Sequence, residues 1–249
     1  LKGILKSGEV EASDMIASAK SDKTREKIEK ELGIRKAANN AQVVDFADVV
    51  FLAVKPQFLE GVLDEIRGSV KAGQIFISIA PGKTLQWLGE RLGENTKVIR
   101  TMPNTPAMVG EGMTALCVNE LITEEETALA VKLCDTFGKT EVIPEHLMDA
   151  VVGVSGSSPA YVFMFLEAMA DAAVADGMPR AQAYKFAAQS VLGSAKLMQE
   201  TGKHPGELKD MVCSPAGTTI QAVRVLEEKG FRSAVIEAQT ECVKKAKGM

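Results

Sequence analysis

The 249-residue sequence has few of the residues that build metal sites and disulfide frameworks: four cysteines and two histidines. Cys117, Cys134, Cys213 and Cys242 lie far apart and form no CxxC pair. Neither a zinc site nor a disulfide scaffold is expected, and no other metal site is. Free thiols in a reducing cytoplasm are the simpler reading. A basic excess is also missing. Lys and Arg total 29 against 33 Asp and Glu, so the net charge is −4 and no nucleic-acid partner is expected. No uninterrupted apolar run reaches the roughly 20 residues of a bilayer span, so no membrane association is expected. Signal-peptide patterns, repeats and low-complexity tracts are absent too.

What remains is ordinary globular material, 46% hydrophobic and 25% charged, with length for one large domain or two ordinary ones. In the first half, short β-rich runs alternate with helical ones. Strands are expected at residues 15–19 (MIASA), 48–54 (DVVFLAV), 74–80 (QIFISIA), 97–102 (KVIRTM), 112–118 and 139–143. Helices are expected at 22–32, 58–67, 84–92 and 123–137, the last with a capping box of Thr123 and Glu126. Continuous apolar strands between helices imply a mostly parallel sheet covered on both faces.

After Pro144 the pattern changes and no strand is evident. Ser158-Pro159 suits a helix start, with Ser as N-cap. The helix 159–176 is apolar almost all round, and the next, from Pro179 to about Thr201, is rich in small residues. An all-round apolar helix needs burial, and about 105 residues are too few to enclose two such helices. A second copy of the chain is the expected cover, and the alternative is burial against the sheet domain.

A dinucleotide-binding sheet of order 3-2-1-4-5-6 needs a first strand between residues 15–19 and 48–54. Residues 1–9 (LKGILKSGE) read as the end of a helix and cannot supply it. The glycine turn that would follow that strand is missing as well. The expectation is a natural chain that begins upstream of Leu1, with a strand and a glycine turn. The alternative is a chain that starts here and binds cofactor poorly.

Candidate cofactor residues lie at strand ends. At the end of the strand at residues 15–19, the second of such a sheet, Ser18 and Lys20 offer a hydroxyl and a cation where a NAD site would carry an acid, which points to the 2′-phosphate of NADP. The alternative is a solvated turn in which Asp22 caps the next helix. Ala53-Val54-Lys55-Pro56 ends the next strand, at the edge where open α/β sheets bind ligands, and its backbone is expected to line the ribose and nicotinamide. Ala80 and Asn104 end the two strands after that, with Asn104 a candidate polar contact on the nicotinamide side. In the helical half, Gly217-Thr218-Thr219 opens a helix at residues 220–229, a place that suits an anion. The competing reading is a capping box of Thr218 and Gln221. His146 and His204 read as surface and helix-start residues.

The motifs AVKP (53–56), RTMPNTPAMVGEG (100–112), GVSGSSPAYVF (153–163), HPGELKD (204–210) and CSPAGTTIQAVRVLEEKGFRSAVIEA (213–238) together resemble pyrroline-5-carboxylate reductase, over the whole chain and in that order. The resemblance implies an α/β chain. Residues 1–144 would form a Rossmann-like NADP-binding domain and residues 145–249 an all-helical substrate-binding and dimerisation domain. It implies reduction of 1-pyrroline-5-carboxylate to L-proline, the last step of proline biosynthesis, with NADPH preferred over NADH. It also implies a cytoplasmic homodimer, with pentamers of dimers among the family's assemblies. Asn40 matches a position that approaches the 2′-phosphate. Ser214, Gly217, Thr218 and Thr219 match residues that hold the substrate carboxylate, with the Thr219 hydroxyl the catalytic candidate beside the imine nitrogen. The alternatives are a non-catalytic dimeric relative and a reductase of another cyclic imine or hydroxy acid. The latter would need Lys185 or Lys196 as a catalytic lysine.

Overall fold

A computed structural model describes residues 1–248. Packing separates two units, Leu1–Gly156 with Val243–Met249, and Ser157–Cys242. The first carries α1 (Lys2–Ser7), β1 (Ile16–Ala17), α2 (Asp22–Leu32), β2 (Arg35–Lys36), α3 (Asn40–Phe46), β3 (Val49–Leu52), α4 (Pro56–Ile66), β4 (Ile75–Ser78), α5 (Leu85–Leu92), β5 (Lys97–Met102), β6 (Gly112–Val118), α6 (Glu124–Asp135), β7 (Gly138–Val142) and α7 (Met148–Val151). A single π turn, Val152–Gly156, follows α7.

Strands β3 to β7 form one sheet in sequential order. Every pairing is parallel except β5 with β6. The exception has a local cause. No helix separates β5 from β6, and the short link 103–111 cannot carry the chain back to the far end of the sheet. All of β4 is buried, as its IFIS sequence suggests. One sheet face packs Phe76, Leu59, Leu63, Leu88 and Val98; the other packs Ile75, Ile77, Ile99, Leu116 and Ala130. Full burial of each such side chain larger than alanine contributes about 2 kcal/mol.

Strand β1 pairs with β2 in a separate two-stranded parallel sheet. Among the described residues no strand joins β1 to β3, although both touch one apolar cluster around Ile4, Met15, Ile34 and Leu133. Strand β2 is not expected from the sequence, because Arg35-Lys36 is short, charged and exposed.

Helix starts follow the hydrogen bonds of their caps. Thr123 and Glu126 form the expected capping box of α6. The cap of α2 is Ser21, which accepts from the Thr24 amide, so Asp22 is the first helical residue and not the cap.

The second unit is helical: α8 (Ser158–Ala175), α9 (Arg180–Thr201), α10 (Pro205–Val212), α11 (Thr218–Glu228) and α12 (Phe231–Lys247) as far as Cys242. The N-cap position of α8 is Ser157, not Ser158, and it makes no side-chain cap bond. Its Oγ lies instead 3.0 Å from Cys242 Sγ. Ala170 of α8 and Ala183 and Ala187 of α9 are buried, because small side chains let the two helices close on each other. Outside that seam Phe163, Met164 and Phe186 stay 62%, 70% and 67% exposed, so the unit by itself does not provide the burial that the all-round apolar α8 requires. By length and composition the helical stretch Glu145–Ala175 could cross a membrane, which the sequence reading did not anticipate. The π turn interrupts that stretch at Val152–Gly156.

Candidate active site

At the end of β1, Ser18 is half-buried and Lys20 exposed. Lys20 Nζ sits 5.1 Å from the ring centre of Phe58, in the first turn of α4. The ends of β1 and β3 therefore meet at one rim. Arg25 adds a second cation there, donating from Nη1 to the Ala19 carbonyl oxygen at 2.9 Å. It also pairs with Asp22, whose carboxyl its hydrogen bond holds below the ordinary range. The sequence reading missed Arg25 and Phe58. The signal was the helical spacing that sets Arg25 one turn beyond Asp22. Ser18, Lys20 and Arg25 at one strand end, with the nearby acid already paired, fit a ribose phosphate.

Lys55 occupies the N-cap position of α4 and Pro56 its first turn, with no side-chain cap bond. Ala53 and Lys55 are exposed and Val54 half-buried, so backbone at this strand end is open to a ligand. Ala80 is buried, and its amide donates to Ser78 Oγ at 3.3 Å.

Two candidates are engaged inside the fold. Asn40 donates its amide and its Nδ2 to the Glu65 carboxylate, at 3.2 and 2.7 Å. Asn104 Oδ1 accepts from the Met113 amide at 2.9 Å, and its Nδ2 donates to the Ser155 carbonyl oxygen at 3.1 Å. Asn104 thus ties the end of β5 to β6 and to the π turn. Nearby, Arg100 on β5 donates from Nη1 to Glu145 Oε1 at 3.0 Å, and the Leu85 amide donates to the same oxygen at 2.8 Å.

In the second unit, α10 ends at Val212 and the chain turns through Ser214-Pro215-Ala216-Gly217 into α11. Ala216 has φ 57°, the one left-handed residue other than glycine among the described residues. A non-glycine residue there costs about 1 kcal/mol or more. The N-cap of α11 is Gly217, and no side chain caps the helix. Thr218 is therefore the first helical residue, which corrects the expected Thr218–Gln221 capping box. The left-handed Ala216 starts the helix one residue early, so Thr218 cannot fold back onto the amides. Ser214 and Thr218 are exposed and Thr219 half-exposed, and their hydroxyls have no hydrogen bond to the described residues. Free amides and three uncommitted hydroxyls gather on one turn.

The other polar candidates have structural jobs. His204 Nδ1 accepts from the Gly206 amide at 3.1 Å, capping α10. Lys196 lies 3.5 Å from Glu200 on the surface of α9. Lys185 and His146 are exposed.

Comparison with known proteins adds identity to this geometry. Residues 145–249 match a family profile described as pyrroline-5-carboxylate reductase dimerisation, and residues 1–82 match one described as NADP oxidoreductase coenzyme F420-dependent. Pyrroline-5-carboxylate reductase of Escherichia coli is 54% identical over 246 residues, covering 99% of this chain and 91% of that protein. The Methanosarcina acetivorans enzyme of the same name is 44% identical over 238 residues, covering 96% and 88%. Among solved structures, a pyrroline-5-carboxylate reductase from Coxiella burnetii superposes with TM-score 0.93 at 31% identity, covering 99% and 93%. A Plasmodium falciparum pyrroline carboxylate reductase with NADP bound superposes at 0.88 with 27% identity, covering 99% and 91%.

Proposed function

The chain belongs to the pyrroline-5-carboxylate reductase family, and we propose that it reduces 1-pyrroline-5-carboxylate to L-proline, the last step of proline biosynthesis, with NADPH preferred over NADH. The observation that carries this is the Ser214–Thr219 turn, an uncapped helix start with free amides and free hydroxyls.

The reaction needs a carboxylate held, a ring oriented and an imine nitrogen kept protonated or hydrogen-bonded, so that its carbon accepts hydride. Reduced nicotinamide supplies the hydride when bound. The amides at Thr218 and Thr219, with the Ser214 hydroxyl, hold the carboxylate where the dipole of α11 favours an anion, and Gly217 lines it while its own amide closes the turn on the Ser214 carbonyl oxygen. Thr219 Oγ1 donates to or accepts from the imine nitrogen. A protonated imine brings its own proton, so no separate acid is required. For the cofactor, Ser18, Lys20 and Arg25 hold the 2′-phosphate. The backbone at Ala53, Val54, Lys55 and Pro56 would hold the ribose, and the Ala80 turn would receive the nicotinamide side. Asn40 and Asn104 support this rim by fixing the backbone around it, since their donors are already used.

The exposed apolar faces of α8 and α9 fit a second copy of the chain, in a homodimer that extends to pentamers of dimers. This cover is the reading we adopt for Glu145–Ala175 in place of a membrane, together with a cytoplasmic location. No nucleic acid takes part.

The test is oxidation of NADPH by this chain with and without 1-pyrroline-5-carboxylate, followed by detection of proline. Substrate-dependent oxidation with equimolar proline is the expected result. Absence of both overturns the proposal.

A further inference from the structure

Glu145 has no role in any motif, yet its Oε1 accepts two hydrogen bonds from distant parts of the first unit. One comes from Arg100 of β5, 45 residues away, and the other from the Leu85 amide, 60 residues away. Arg100 has a side chain only 9% exposed, and Glu145 one 32% exposed. A guanidinium buried to that extent needs a partner, since an unpaired one is costly. The pair rests on a small apolar cluster in which Ala115, Cys117 and Met148 are buried and Leu85 and Met102 pack alongside.

Leu85 opens α5, and the loop before it, Ala80-Pro81-Gly82-Lys83-Thr84, links the end of β4 to that helix. Thr84 caps the helix through the Trp87 amide at 3.0 Å. The Leu85 amide is a free donor of the first turn, and Glu145 meets it with a carboxylate, where the helix dipole favours negative charge. Arg100 stands two residues before the end of β5, whose strand pairs with β4 at Ser78–Arg100. One carboxylate oxygen therefore fixes the far end of the β4–α5 loop to the neighbouring strand. The near end is fixed by Ala80 on Ser78 Oγ and by Thr101 Oγ1 on the Ser78 carbonyl oxygen, at 3.3 and 3.0 Å.

We propose that Glu145 is a positioning residue for the cofactor: with Arg100 it clamps the Ala80–Thr84 loop in the shape that receives the nicotinamide half. It touches no substrate. The inference rests on the cofactor reading above.

Two readouts test it, and neither needs turnover. Hydrogen exchange is followed by mass spectrometry in wild type, Glu145→Ala and Glu145→Gln, and NADPH affinity is read from its fluorescence. Loss of one brace worth 1–2 kcal/mol predicts that Glu145→Ala speeds exchange across residues 80–88 by about tenfold and weakens NADPH about tenfold. Residues 49–52 and the helices of the second unit should exchange as in wild type. Glu145→Gln keeps an acceptor for Leu85 but removes the charge that pairs with Arg100, so it should recover part of both effects. NADPH affinity within twofold of wild type in Glu145→Ala overturns the proposal. So does faster exchange everywhere, or a glutamine variant no better than alanine. Unchanged NADPH binding by wild type without reduction of 1-pyrroline-5-carboxylate would instead overturn the activity and leave this clamp standing.

Discussion

The amide of Gly217 donates to the carbonyl oxygen of Ser214 at 3.0 Å, closing the turn that opens α11. A Cβ at position 217 would lie 2.3 Å from Ser214 Oγ and 3.1 Å from the Ser214 carbonyl oxygen. The serine hydroxyl can rotate away, but only by leaving the position from which it would meet the carboxylate. Gly217→Ala should therefore raise KM for 1-pyrroline-5-carboxylate by about tenfold, with a melting temperature within a few degrees of wild type. Steady-state kinetics and a thermal melt check this; an unchanged KM would show that Ser214 takes no part.

The cations at the end of β1 make a prediction about cofactor choice. Lys20→Glu replaces attraction for a 2′-phosphate by repulsion at an exposed site. A loss of about tenfold in NADPH affinity is expected, with NADH changed less than twofold. Fluorescence titration with both nucleotides measures the ratio. Equal losses would remove Lys20 from the phosphate site.

The exposed faces of α8 and α9 predict association. Phe163, Met164 and Phe186 present a larger apolar surface than an isolated unit keeps in water. Wild type should scatter light as a dimer or a multiple of one at micromolar concentration. Phe163→Glu with Phe186→Glu should shift it to monomer or aggregate. A wild-type monomer would contradict the dimer.

Two buried thiols set the alkaline limb of stability. Burial pushes Cys117 and Cys134 up to about 12 from 9.0, helped at Cys117 by Glu145 and at Cys134 by Asp135. Unfolding returns them to ordinary values, so between pH 9.0 and about 12 the unfolded chain binds fewer protons. Stability should be fully present below that window and fall as pH rises through it. Urea midpoints at successive pH values check this, and Cys134→Ala should flatten the slope. Native wild type at pH 8 should leave both thiols unlabelled by a disulfide reagent, and unfolding should expose them.

The strand β4 was legible because a short, continuous apolar run bounded by turn residues fits a sheet covered on both sides. The α6 cap was legible because its two partners are three residues apart. The start of α11 was displaced by one residue, because Ala216 adopts a left-handed conformation that alanine rarely takes. Strand β2 was hidden by its charge. Glu145 was hidden by distance, since neither of its partners lies in the same local pattern. Asn104 stood out at a strand end, but the bonds that commit its carboxamide come from Met113 and Ser155 and exist only in the folded chain.

The central claim is the role of the Thr219 hydroxyl, which makes no hydrogen bond to the described residues and does not cap α11. The most direct measurement is kcat for NADPH oxidation by Thr219→Ala with saturating 1-pyrroline-5-carboxylate, alongside its melting temperature. A fall of about a hundredfold in kcat, about 2.7 kcal/mol of transition-state stabilisation, with an unchanged melting temperature and partial rescue by Thr219→Ser, is the predicted result. Turnover equal to wild type, or a loss of activity matched by a loss of stability, would contradict it.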